Sequence, residues 1–246
     1  MNGAQKNKTG TGGGLSTARL EALVDGVFAV AMTLLVLTLI VPREPAGLSP
    51  AALTRHLLHD LYALRFTALT YAISFVIAGV YWVGHHNQFP LIQRADRVLL
   101  WITILFLMGV TGIPFSTALL GAYPGQQVAV VLYGGNLIVI GLVLALQWWY
   151  ATSNHRLTDE DLDPLLVRRA MRRILVGPLA YLLAISISFA SPALSLAIYA
   201  LVPLLYILPG RVDRHLGAPD AHADVAASEH HASVTGDGED RHVMAP

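Results

Sequence analysis

Six stretches of this chain are apolar over sixteen to twenty-two residues each, and they limit the possible folds more severely than any other feature. They run Leu20–Val41, Phe66–Val83, Val98–Leu119, Val128–Trp149, Ile174–Ala190 and Ala193–Leu208. A helix rising 1.5 Å per residue needs roughly twenty such residues to cross about 30 Å of hydrocarbon, so the pattern predicts an all-α integral membrane protein with six transmembrane helices. Only 13% of the 246 residues are charged, against about 25% in soluble domains. The last two segments are one apolar run divided at Ser191-Pro192, where proline supplies no amide donor, and this predicts a tight helical hairpin.

Sixteen basic and sixteen acidic residues cancel, giving no electrostatic reason to expect a nucleic-acid partner. Cysteine is absent, which removes disulfides and thiolate chemistry. Lysine and arginine are distributed unevenly between alternate connections. Lys6, Lys8, Arg19, Arg94, Arg97, Arg156, Arg168, Arg169, Arg172, Arg173, Arg211, Arg214 and Arg241 fall on one side, and Arg43, Arg55 and Arg65 on the other. Thirteen against three places both termini in the cytoplasm of a multi-pass cell-membrane protein. Residues 1–16 are expected to be a flexible segment, 17–210 the membrane domain and 211–246 a disordered tail with too few apolar residues to offset the entropy of ordering. The apolar stretch near the start exceeds a signal-peptide core and lacks a cleavage site, so it is expected to be retained.

Candidate chemistry is sparse. A short helix over Pro50–Ala63 carries His56 and His59 at i, i+3, a spacing that fits a solvated face better than a metal site without a third ligand. His222, His230, His231 and His242 lie in the low-complexity tail. Asp25, one turn into the first helix, is an ionisable group at the mouth of an apolar span and requires a solvent, dipole or side-chain partner. Arg19, His85, His86 and Asn87 are expected at the same depth. At 100° per residue, Val30, Thr33 and Leu37 fall within about 60° of one another and Asp25 about 115° away, so stripe and carboxylate face different surroundings. Such a stripe suits packing, lipid contact or a pore wall.

These residues also resemble the transmembrane protein 175 family of potassium channels. Arg19 followed by Asp25 is similar to its Arg-x-x-x-Phe-Ser-Asp signature, with Leu23 and Val24 standing where the family has Phe and Ser. The resemblance continues through Gly26-Val-Phe-Ala-Val-Ala-Met-Thr-Leu-Leu-Val-Leu37, Tyr81-Trp-Val-Gly-His-His86, Arg94-Ala-Asp96-Arg97, Leu99-Leu-Trp101 and Pro114-Phe-Ser-Thr-Ala-Leu-Leu-Gly121, covering residues 17 to 121. It implies a six-helix protomer of bacterial type that assembles as a homotetramer, with four first helices around a pore for potassium and other monovalent cations. Carried over by position, the constriction falls on Val30, Thr33 and Leu37, while Arg19, Asp25, His85 and His86 form the signature polar network. No cofactor is implied beyond the permeant ion. Two alternatives belong to other classes. A His-ligated membrane enzyme needs more ligands than His85, His86 and distant His155. A secondary transporter should show repeated halves and helices broken at the midplane.

Overall fold

The computed structural model describes residues 17–43 and 46–207, and the expectations for residues 1–16 and 211–246 lie outside them. Among the described residues the chain forms α-helices and three short 3₁₀ turns, with no strand. The helices are α1 (Thr17–Leu35), α2 (Pro50–Ala63), α3 (Arg65–His86), α4 (Arg97–Thr111), α5 (Ile113–Ala122), α6 (Gln127–Thr152), α7 (Pro164–Ser188) and α8 (Pro192–Ile207). Among the described residues, five stretches are long and apolar enough to cross a membrane: Thr17–Thr38, Arg65–Leu91, Arg97–Ala122, Gln127–His155 and Pro164–Ser188. The expected sixth, α8, is described over 16 residues, about 24 Å of helix, and is not among the five.

Three boundaries differ most from those read in the sequence. The first helix ends at Leu35 and tightens into a 3₁₀ turn over Val36–Thr38 instead of continuing to Val41. Pro42 cannot donate to a carbonyl at position 38 and disfavours helix at residue 41, so the last regular turn lies upstream. The third span, expected as one helix over Val98–Leu119, is divided at Gly112 into α4 and α5. Pro114 removes the amide that would continue the ladder across the junction, and Gly112 N–H bonds Gly109 O at 3.1 Å in a tighter turn. The fifth span, α7, starts at Pro164, ten residues before the expected Ile174. Arginine is a good helix former, so the Arg168–Arg173 stretch extends the helix even though it does not extend the apolar span.

Packing follows from the apolar stripes. α6, the longest helix at 26 residues, lies at the centre and buries half its side chains, with α4 and α5 on one side and α7 on the other. α1 packs on α3, α4 and α5 through Leu20, Val24, Phe28, Ala31 and Leu35, one stripe at spacings of four and three. Glycines allow two close crossings. A Cβ at Gly141 would lie 2.5 Å from Pro178 Cγ of α7. Tyr199 of α8 lies directly over Gly134 to donate its hydroxyl to Val130 O at 3.1 Å.

Several polar groups inside the bundle are bonded in short chains. Thr117 donates to Ser74 Oγ at 2.8 Å, and that oxygen is 2.8 Å from Tyr133 OH, joining α5, α3 and α6. Tyr81 OH donates to Leu137 O at 2.6 Å. One residue before Pro178, the Tyr206 hydroxyl accepts from Gly177 N–H at 2.8 Å and donates to Arg173 O at 2.9 Å, so a side chain enters the α7 ladder where proline weakens it.

The arginine-rich end has a smaller core of its own, built from Leu20, Phe89, Ile92, Leu99, Ala151 and Leu157. Asp96 caps α4 by accepting from Leu99 N–H at 2.8 Å, and its other oxygen accepts from Tyr150 OH at 2.5 Å. Arg156 donates to the same hydroxyl at 3.2 Å, and that bond raises the guanidinium pKa further above its ordinary value.

Candidate functional site

α1 has two unlike faces. The buried stripe described above leaves the opposite side of the helix open, and Val30, Thr33 and Leu37 are all on that side. Val30 is 57% exposed and Leu37 69%, although both are large apolar side chains within the first span. Leu35, by contrast, is completely buried. The 3₁₀ turn changes the angular step from 100° to about 120° beyond Leu35, yet Leu37 remains on the open side.

Thr33 Oγ1 donates to Val30 O at 2.8 Å. The hydroxyl proton is thereby turned back to the helix and the oxygen lone pairs face outward, the orientation in which a threonine oxygen can coordinate a cation. Sequence reasoning missed that Ala22, Gly26 and Ala29 are exposed on the same arc. A Cβ placed on Gly26 would meet nothing within 4 Å. Small residues along one face let the backbones of neighbouring helices approach closely in a bilayer.

The polar end of α1 is organised differently from the expected network. Asp25 Oδ1 accepts from Trp82 Nε1 at 2.8 Å, and Glu21 Oε1 lies 3.2 Å from His86 Nδ1. Glu21 and Asp25 are four residues apart on α1, Trp82 and His86 four apart on α3, so two antiparallel helices face each other across two rungs. The Trp82 and His86 rings stack at 5.5 Å between those rungs. Glu21 and Trp82 were not selected from sequence. The paired i, i+4 spacing of acids and of aromatic donors was the available signal.

Arg19 and His85 do not join this cluster. Six residues separate Arg19 from Asp25, about 9 Å of rise and 120° of rotation, so one helix cannot bring the two side chains together. Arg19 is exposed and forms no ion pair among the described residues. His85 points the other way, into the protein, and stacks between Phe89 at 4.4 Å and Phe106 at 5.2 Å. Adjacent helix residues differ by 100°, which is why His85 and His86 have opposite surroundings. No group of three or more His, Cys, Asp or Glu side chains able to hold a metal exists among the described residues.

Similarity to known proteins is consistent with this geometry. Residues 19–114 match the family model described as "Endosomal/lysosomal potassium channel TMEM175". A protein named a potassium channel from Streptomyces collinus is 35% identical over 198 residues, 77% of this chain and 91% of its own length. Another of that name from Chamaesiphon minutus is 35% identical over 195 residues, 78% of this chain and 94% of its own. The crystal structure of the lysosomal potassium-selective channel TMEM175 homolog from Chamaesiphon minutus superposes with a TM-score of 0.68 at 34% identity, covering 78% of this chain and 96% of that one. With this similarity extending over most of both chains, the protein belongs to the TMEM175 family of ion channels, and is not an enzyme.

Proposed function

We propose that the protein is a potassium-permeable cation channel of the cell membrane, built from four copies whose α1 helices surround a central pore. Val30, Thr33 and Leu37 form successive rings, α8 serves as the sixth span, and both termini lie at the arginine-rich cytoplasmic end. The observation that carries this reading is the open face of α1, where small residues give way to exposed Val30, Thr33 and Leu37 while the other face anchors the helix in the core. The relatives named as potassium channels support the permeant species. Rings of valine and leucine restrict passage by size and dewetting, and a ring of threonine oxygens replaces part of an ion's hydration shell. The two-rung contact of Glu21 and Asp25 with His86 and Trp82 holds α1 against α3 at the pore's cytoplasmic end.

The test is ion flux through purified protein in liposomes, comparing potassium, sodium and caesium for the wild type and Thr33→Val. Thr33→Val keeps the β-branch at an exposed position, so folding should be preserved while the potassium preference moves toward unity. Wild-type liposomes that pass no monovalent cation would refute the channel. An unchanged ion preference in Thr33→Val would refute the threonine ring.

A further inference from the structure

We propose that the outer face of α7 is a binding site for anionic phospholipid, in which Arg168, Arg169 and Arg172 hold the headgroup phosphate and the apolar stripe beneath them holds the acyl chains. At 100° per residue, Leu165, Arg168, Arg169, Arg172, Val176, Leu179 and Leu183 share an arc of about 100°. Leu165 is 54% exposed, Val176 42%, Leu179 64% and Leu183 55%. The three arginines are exposed as well, and the buried side of the helix, with Gly177, Pro178, Tyr181 and Ala184, points the opposite way. From Arg172 to Leu183 the helix rises about 16 Å, close to the thickness of one leaflet's hydrocarbon.

Charge complementarity identifies the occupant. No carboxylate among the described residues forms an ion pair with Arg168, Arg169 or Arg172. The nearest acids in sequence, Asp159, Glu160, Asp161 and Asp163, precede the helix, and Asp163 is nine residues, or about 13 Å of helix, before Arg172. Two are already engaged: Asp163 caps α7 through Leu165 N–H at 2.8 Å, and Asp159 accepts from Gln93 Nε2 at 2.9 Å. The carboxylates thus lie toward water and the guanidinium groups at headgroup depth. A guanidinium donates in a planar fork that matches two phosphate oxygens. Arg173 serves a different purpose, turning inward to donate to Tyr206 O of α8 at 3.3 Å. The inference rests on the pore reading in one respect: α7 packs chiefly on α6 and α8, so with α1 at the axis α7 lies at the periphery, facing lipid.

Full-length protein, purified in mild detergent, is mixed with equal amounts of phosphatidylglycerol and phosphatidylcholine, and retained lipid is measured by native mass spectrometry. Wild type should retain phosphatidylglycerol in preference. Each arginine contributes about fivefold to that retention, so Arg168→Gln/Arg169→Gln/Arg172→Gln together should lower it about a hundredfold. Arg43→Gln/Arg55→Gln, on the opposite side of the membrane, should leave it unchanged. Soluble glycerol 3-phosphate, which lacks acyl chains, should not displace the lipid. Equal retention of the two lipids by wild type, an undiminished preference in the triple variant, or displacement by glycerol 3-phosphate would each overturn the proposal. Lipid retention is measured without conduction, so loss of flux in the wild type would count against the pore and not against this site.

Discussion

Leu35→Ala and Leu37→Ala make the same chemical change two residues apart and should have opposite consequences. Leu35 is 0% exposed in the core between α1 and its neighbours, whereas Leu37 is 69% exposed on the open face. In a bilayer the transfer of leucine from lipid into protein supplies little driving force, so the cost of Leu35→Ala is mainly the cavity and the lost dispersion contacts, about 2 kcal/mol. Leu37→Ala removes few packing contacts and should change stability by less than about 0.5 kcal/mol. In a tetramer, however, it appears four times at one level. If each leucine adds about 0.5 kcal/mol to the barrier for a hydrated ion, the four together add about 2 kcal/mol, or about thirtyfold in rate. Thermal unfolding in detergent and potassium flux in liposomes should therefore separate the pair: Leu35→Ala melts earlier with flux near normal per folded channel, and Leu37→Ala melts normally with greatly increased flux. The reasoning fails if the two variants change flux equally, or if Leu37→Ala lowers the melting temperature and leaves flux alone.

Three further outcomes are expected. Trp82→Phe removes the donor to Asp25 Oδ1 and should destabilise by about 1 kcal/mol in thermal melts, and a double-mutant cycle with Asp25→Asn should show that the effects are not additive. Gly141→Ala gains helix propensity of about 1 kcal/mol, but its Cβ would lie 2.5 Å from the rigid Pro178 ring, so the net effect should be destabilising by about 1–3 kcal/mol, seen as lower melting temperature and yield. Single cysteines at Ala122 and Ser153 should be labelled by an impermeant thiol reagent from opposite sides of the membrane, and labelling from one side alone would refute the topology.

Five of the expected spans and their order could be read from the sequence because lipid imposes one local rule, that a crossing segment satisfy its own backbone and be apolar for about twenty residues. The open stripe of Val30, Thr33 and Leu37 was legible for a similar reason, since helical periodicity acts on neighbours in the chain. Where the helices end was less legible: Pro42 shortened α1, Gly112 and Pro114 divided the third span, and arginine extended α7 past its apolar part. Partners were decided by the tertiary structure alone. Arg19, Asp25, His85 and His86 are grouped by position in the chain, yet rotation about α1 separates Arg19 from Asp25, and rotation about α3 sends His85 into the Phe89–Phe106 stack and His86 to Glu21. Trp82 became the donor to Asp25 because two antiparallel helices happen to be in register there, which depends on how α1 and α3 pack on α4 and α5 and on no local pattern in either.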